Sequence, residues 1–263
     1  MLGQSVTDRL ASEGFRVNTG SSIRGVITVP SRPHRLEIDP ARAVVLVVDM
    51  QNDFGAQGGM FDRAGIDIGG VAAATTATSR VLAAAREAAV PVVYVKMEHP
   101  ADLSNVGPED GPHWIKHLPL GVGEDIVAPD GSRGQVLVKG TWNTEILDEV
   151  KPRTGEIIVS KHRYSGFFET ELDDVLRGLN AKYLIVVGLT TSICVESTVR
   201  DGMFRDYTCL VLEDCTAEPL GSGLTRTNHE ASLLNIEALF GWVSSSDALI
   251  DALTPSAELI STQ

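Results

Sequence analysis

Tyr183-Leu184-Ile185-Val186-Val187-Gly188, followed by Leu189-Thr190-Thr191-Ser192-Ile193-Cys194-Val195-Glu196, decides the fold of this chain. The first six residues form a short apolar run rich in β-branched side chains, the pattern of a strand buried on both faces in a parallel sheet. The residues after Gly188 read as a tight turn and then a helix running to about Gly202. A thiol at the start of such a helix faces backbone N–H groups and the positive end of the helix dipole, and both favour thiolate. The same N–H groups could hold an oxyanion formed when a thiolate attacks a carbonyl. Cys194 therefore reads either as a nucleophile or as an inert buried thiol, a common state for free cysteines.

Working outward, Val44-Val45-Leu46-Val47-Val48 is a second β-branched run, ending abruptly at Asp49. Glu156-Ile157-Ile158-Val159-Ser160 is a third, ending at Lys161. Ligands of open parallel sheets bind beyond the carboxyl ends of the strands, and three strands here end in an acid, an ammonium and a thiol. A carboxylate can accept the thiol proton, and an ammonium can stabilise both anions. Taken singly, a charge at a strand end is usually only solvated.

The remaining elements alternate. Val71 to Ala89 carries Val81, Leu82 and Ala85 at helical spacing, and Val92–Val95 reads as a strand. Helices are expected over Asn143–Val150, Thr170–Leu179 and about Thr225–Phe240, with a further strand over Thr208–Leu212. Such alternation predicts an α/β protein: a doubly wound, mostly parallel sheet with helices on both faces, three layers in all. The expected division is an N-terminal extension over residues 1–35 and one domain over 36–263. Gly107–Pro112 is expected as a loop with a lid or interface role.

Composition narrows the function classes. A chain of 263 residues with 43% hydrophobic content can bury one large core. The formal net charge of −13 argues against sequence-independent nucleic-acid binding. No apolar run is long enough to span a bilayer, and the first residues lack the pattern of a secretory signal. Three cysteines without framework spacing favour a reducing, cytoplasmic setting. Cys209 and Cys215 read as structural.

The three strand-end segments, Val48-Asp49-Met50-Gln51-Asn52-Asp53-Phe54, Lys161 with Ser165-Gly166-Phe167, and Gly188 to Val195, together resemble the isochorismatase-like cysteine hydrolases, over roughly Leu36 to Leu253. The resemblance implies a catalytic trio of Asp49, Lys161 and Cys194, a cis peptide at Leu189–Thr190, and an oxyanion hole from the N–H groups of Thr190 and Cys194. Members that act on isochorismate lack the cysteine, so Cys194 implies amide hydrolysis. Within the family, Lys139-Gly140-Thr141-Trp142, Lys161 to Phe168, Cys194-Val195-Glu196-Ser197-Thr198 and the Asn235-Ile236-Glu237 region are similar to ureidoacrylate amidohydrolases. The implied reaction cleaves a ureido compound through a cysteine acyl-enzyme, releasing carbamate and then ammonia and carbon dioxide. Biuret, an N-carbamoyl amino acid or a hydrazide are alternative substrates, and a non-catalytic thiol-sensing or binding module is the remote alternative. A homo-oligomer with subunit contacts near the site is also implied. The segment Glu98–Leu120 departs from the family and is where selectivity is expected to be set.

Metal-bearing relatives place an Asp and two His shortly after the second strand of the sheet. Here His99 matches one imidazole, while Met97 and Leu103 stand at the other two positions, so no metal and no cofactor are expected. Candidate substrate contacts are Asn52, Phe54, Trp142, Arg163, Tyr164 and Glu237. Each has a structural alternative: Asn52 could brace the turn after its strand, Arg163 could form a surface or intersubunit salt bridge, and the aromatics could simply pack. Glu196 reads as structural, and no spacing singles out His113, His117 or His229.

Overall fold

The computed structural model describes residues 25–254. Its first element is an antiparallel hairpin, β1 (Ile27–Val29) with β2 (Leu36–Ile38), so the boundary expected at residue 35 falls inside a paired unit. Arg32, at the hairpin's bend, exchanges backbone hydrogen bonds with Val243 and makes ion pairs with Glu213 and Glu237.

The central sheet holds six strands, all parallel, in the order β10-β9-β8-β3-β4-β7. These are β3 (Ala43–Val48), β4 (Val92–Met97), β7 (Ile157–Lys161), β8 (Tyr183–Leu189), β9 (Thr208–Ala217) and β10 (Trp242–Ser244). A small hairpin, β5 (Asp125–Val127) with β6 (Arg133–Gln135), stands apart. Strand β3 is buried along its whole length, and its alternating side chains feed two separate apolar layers. Val45 and Val47 pack with Val81, Leu82 and Ala85 of helix α1 (Gly69–Glu87). Val44, Leu46 and Val48 pack with Leu172 and Leu176 of α3 (Leu172–Gly178) and Val199 of α4 (Glu196–Met203). This is the three-layer arrangement expected from the alternation of runs, since a strand covered on both faces cannot show a polar side. Further helices include α2 (Pro112–His117), α5 (Asn228–Asn235) and α6 (Ser246–Leu253), beside two single-turn helices over Asn52–Gly55 and Met60–Arg63.

One expected helix does not form. Over Asn143–Val150 the chain makes two short 3₁₀ turns, Trp142–Thr144 and Asp148–Val150, joined by extended backbone. The N–H of Asn52 donates to Glu145 O and that of Leu147 to Met50 O, so the chain after β3 claims the backbone a helix would need. Ile146, Leu147 and Val150 are still buried, which is why their spacing mimicked a helix.

Strand order places the site. From β3 the chain builds outward through β4 and β7 on one side, then returns to build β8, β9 and β10 on the other. The carboxyl ends of β3 and β8 therefore flank the point where the winding reverses, the usual ligand crevice of such sheets. Gly188 draws these ends together. It has a positive φ of 126°, and a Cβ there would stand 2.0 Å from Val48 O. No side chain fits that approach.

Candidate active site

Asp49 follows β3, Lys161 ends β7, and Cys194 lies in the wide helical turn Thr191–Val195 that links β8 to α4. The three meet. Lys161 Nζ is 2.6 Å from Asp49 Oδ2, 3.5 Å from Cys194 Sγ and 3.0 Å from the Arg163 carbonyl, one acceptor for each ammonium proton. Asp49 takes a left-handed backbone conformation (φ 49°), donates its N–H to Val95 O, and accepts the Met97 N–H at Oδ1 over 2.9 Å. Its Oδ2 faces Lys161, and the carboxylate lies beside the Cys194 thiol.

Burial dominates the electrostatics of this trio. It pushes the Asp49 carboxyl up, and Lys161 opposes that only in part. Burial would lower Lys161, but Asp49 and the Cys194 sulfur outweigh it and the ammonium is held more tightly. The Cys194 thiol is pushed up by burial, with Lys161 opposing and Asp49 reinforcing. Burial and Asp49 thus oppose the thiolate that the helix start would favour. A buried thiol beside a carboxylate of raised basicity is instead poised to hand over its proton as attack begins.

The nucleophile turn is tied down on several sides. Glu218, after β9, accepts the Ser192 N–H (2.8 Å) and hydroxyl (2.6 Å), and Thr191 Oγ1 contacts His229 Nδ1 at 2.9 Å. Thr198 Oγ1 donates to Cys194 O and accepts the Gly166 N–H, which links the nucleophile to the segment following Lys161. The Leu189–Thr190 peptide is cis. The Thr190 hydroxyl is buried and, among the described residues, has no partner.

A cavity of about 280 Å³ opens over the trio. Asp49, Thr190 and Cys194 line it, as do Phe54 and Tyr164 from the expected substrate contacts. The other four candidates do not line it. Asn52 Nδ2 donates to the Trp142 backbone carbonyl at 2.8 Å, bracing the turn after β3. Arg163 spends Nη1 on the carbonyls of Asn105 and His162 and lies over the Phe168 ring. Glu237 is paired with Arg32. Glu196 accepts from Arg200 and Ser232, a structural tie between α4 and α5.

Sequence reasoning missed Lys116 and His117, both at the cavity wall. His117 Nδ1 donates to His113 O at 2.7 Å, and the rings of His113 and Tyr164 lie 3.9 and 5.9 Å away. Burial lowers the affinity of His117 for a proton, and the nearby Lys161 and Arg163 charges lower it further. His99 Nδ1 donates to Asn105 Oδ1 (2.7 Å). Despite these three imidazoles, no group of three His, Cys, Asp or Glu among the described residues has the arrangement to hold a metal.

Residues 43–248 match the isochorismatase domain family model, a span that takes in all six strands and the trio. The chain belongs to the isochorismatase family. It is 39% identical over 231 residues to a ureidoacrylate amidohydrolase of Cronobacter sakazakii, covering 88% of this chain and 97% of that one. A ureidoacrylate amidohydrolase of Caulobacter segnis is also 39% identical, covering 84% of this chain and 90% of that one. Among solved structures, a cysteine hydrolase from Pseudomonas syringae pv. phaseolicola superposes with a TM-score of 0.68 at 27% identity, covering 88% of this chain and 98% of that one. An N-carbamoylsarcosine amidase from Thermoplasma acidophilum gives 0.57 at 26% identity, covering 78% and 97%.

Proposed function

We propose that this isochorismatase-family chain cleaves ureidoacrylate, or a close ureido analogue, through a cysteine acyl-enzyme. At the coarser level it is an isochorismatase-like amidohydrolase. The observation that carries the finer reading is the meeting of Asp49, Lys161 and Cys194 beneath one small cavity.

In this mechanism Asp49 accepts the Cys194 proton as sulfur attacks the ureido carbonyl. Lys161 holds the carboxylate and the nascent thiolate in one cluster, which offsets the burial that opposes each charge. The N–H groups of Thr190 and Cys194 receive the tetrahedral oxyanion. Asp49 then returns the proton to the departing nitrogen, the C–N bond breaks, and a carbamoyl thioester remains. Water, deprotonated by the same carboxylate, releases carbamate and restores the thiol; carbamate decomposes to ammonia and carbon dioxide. A cavity of about 280 Å³ suits a substrate of a few heavy atoms, near the lower end of small-molecule sites.

The test is ammonia release by the wild type and by Cys194→Ala across ureidoacrylate, biuret, N-carbamoyl amino acids and nicotinamide. Cysteine-dependent turnover centred on ureidoacrylate supports the reading. A preference for an N-carbamoyl amino acid would move the substrate towards that of the Thermoplasma neighbour and keep the trio. Two settings belong to the same proposal: a cytoplasmic enzyme, consistent with three unpaired cysteines, and a homo-oligomer, consistent with Phe204 and Leu239 being 65% and 71% exposed. Sedimentation of the purified protein as a monomer would remove the second.

A further inference from the structure

The cavity wall contains a cation and a neutral acceptor that the catalytic trio does not use. Lys116 and His117 are consecutive at the end of α2, within the segment where selectivity was expected, and both line the cavity. Lys116 lines this cavity and, among the described residues, takes part in no ion pair. Arg163, a candidate substrate contact, does not line the cavity, and its Nη1 is bonded to two backbone carbonyls. His117 is fixed in one tautomer. Its Nδ1 faces a carbonyl, which can only accept, so Nδ1 carries the hydrogen and Nε2 presents a lone pair. That Nε2 has no partner among the described residues, and the His113 and Tyr164 rings fix the plane of the imidazole.

We propose that Lys116 and His117 form the recognition face of the site: the Lys116 ammonium pairs with a substrate carboxylate, and His117 Nε2 accepts an N–H of the ureido group. This rests on the ureido reading above and deepens it by naming the side chains that recognise each end of such a substrate. The charge balance supports it. A chain of net charge −13 repels a small anion at long range, so an anionic substrate needs a local cation where it enters. An ammonium left without a carboxylate partner at a cavity rim supplies one. A neutral imidazole suits the other end of the substrate, because a ureido nitrogen only donates whereas an imidazolium would also donate. Apolar walls such as Phe54 and Met97 offer no competing polar group at these two positions.

The experiment compares steady-state kinetics on 3-ureidoacrylate and on its uncharged amide, 3-ureidoacrylamide, for wild type, Lys116→Met, His117→Phe and His117→Gln. Lys116 is exposed, so its substitution leaves the core intact. Lys116→Met is expected to raise KM for the acid roughly tenfold, the scale of one charge-assisted hydrogen bond, and to leave kcat/KM for the amide within about twofold. His117→Phe is expected to lose roughly tenfold in kcat/KM on both compounds, with His117→Gln restoring most of it through its amide oxygen. Equal behaviour of Lys116→Met and wild type towards acid and amide overturns the Lys116 assignment. Equal losses for Phe and Gln at position 117 overturn the His117 assignment. Wild-type enzyme inactive on both compounds removes the ureido reading itself and this proposal with it, a result distinct from either.

Discussion

Lys161 Nζ stands 2.6 Å from Asp49 Oδ2 with both side chains closed off from solvent. A buried ion pair gains little over apolar packing, but removing one partner strands a charge, at a cost of about 3–5 kcal/mol. Lys161→Met or Asp49→Asn is therefore expected to be both inactive and less stable by that order. The double variant Asp49→Leu/Lys161→Met is expected to recover much of the stability and none of the activity. Urea unfolding of the three variants beside activity assays checks this, and a double variant as unstable as the singles would refute it. Such a result would mean the pair contributes packing as much as charge.

Cys194 is expected to rest as a thiol. Burial raises it above the ordinary value of 9.0, with Lys161 too weak to reverse the effect. The 240 nm thiolate absorbance of wild type minus Cys194→Ala is expected to stay flat up to pH 9. A step near neutrality would mean that Lys161 and the helix start overcome burial after all. Activity near neutral pH would then report a preformed nucleophile rather than proton transfer coupled to attack.

How much of this was legible in the sequence follows from where each group sits. Asp49 and Lys161 stand at the ends of apolar runs and Cys194 lies in the turn just past a third, and parallel strands align their ends, so a shared edge was legible; that the three form one trio was implied by the family resemblance. The missing Asn143–Val150 helix could not be. Its apolar spacing is real, yet Glu145 and Leu147 bond to the chain around Met50 and Asn52, a pairing that no local pattern encodes. Arg163 and Asn52 have side chains of the right type near the site, but backbone carbonyls claim them. Lys116 and His117 reach the cavity because a non-repeating segment folds back from β4, and neither has spacing that betrays it.

Gly188 is expected to tolerate no side chain. In Gly188→Ala the new Cβ would meet Val48 O at 2.0 Å with φ at 126°, so either β8 or β3 must move. Both strands carry site residues at their ends. Thermal unfolding should fall by several degrees, and the surviving folded fraction should lose at least about tenfold in kcat, because small misplacements of reacting groups are costly. Full activity per folded molecule would show that the strand ends can separate without disturbing Asp49 and Cys194.

The histidine cluster predicts acid sensitivity. Burial lowers His99 from 6.5 to about 4, with the Asn105 hydrogen bond opposing. An unfolded chain binds this proton once pH drops below about 6.5, while the folded chain refuses it until about 4, so protonation favours unfolding across that window. The stability is fully present above 6.5 and is lost as pH falls towards 4. The shift corresponds to at most about 3 kcal/mol for this one group. Urea midpoints of wild type and His99→Gln at pH 7 and pH 4.5 check the sign: wild type should lose more than the variant on acidification. The reverse order would assign the acid response to carboxylates alone.

Glu218 couples the nucleophile to the cavity wall. One carboxylate oxygen accepts the Ser192 N–H and hydroxyl, and the other accepts the N–H of Leu220, which lines the cavity. The Thr190–Cys194 turn is thus held from the end of β9 by a group that reaches neither substrate nor sulfur. Glu218→Ala is expected to lower kcat by up to about 100-fold through misplacement of the turn, with a smaller change in KM. Glu218→Gln should keep part of the activity, since its oxygen can still accept from Ser192 while its amide nitrogen faces the Leu220 donor. A purely structural role would lower stability in both variants without separating kcat from KM. The split between those constants, measured at a temperature where both variants are folded, is therefore the quantity that identifies Glu218 as a positioning residue.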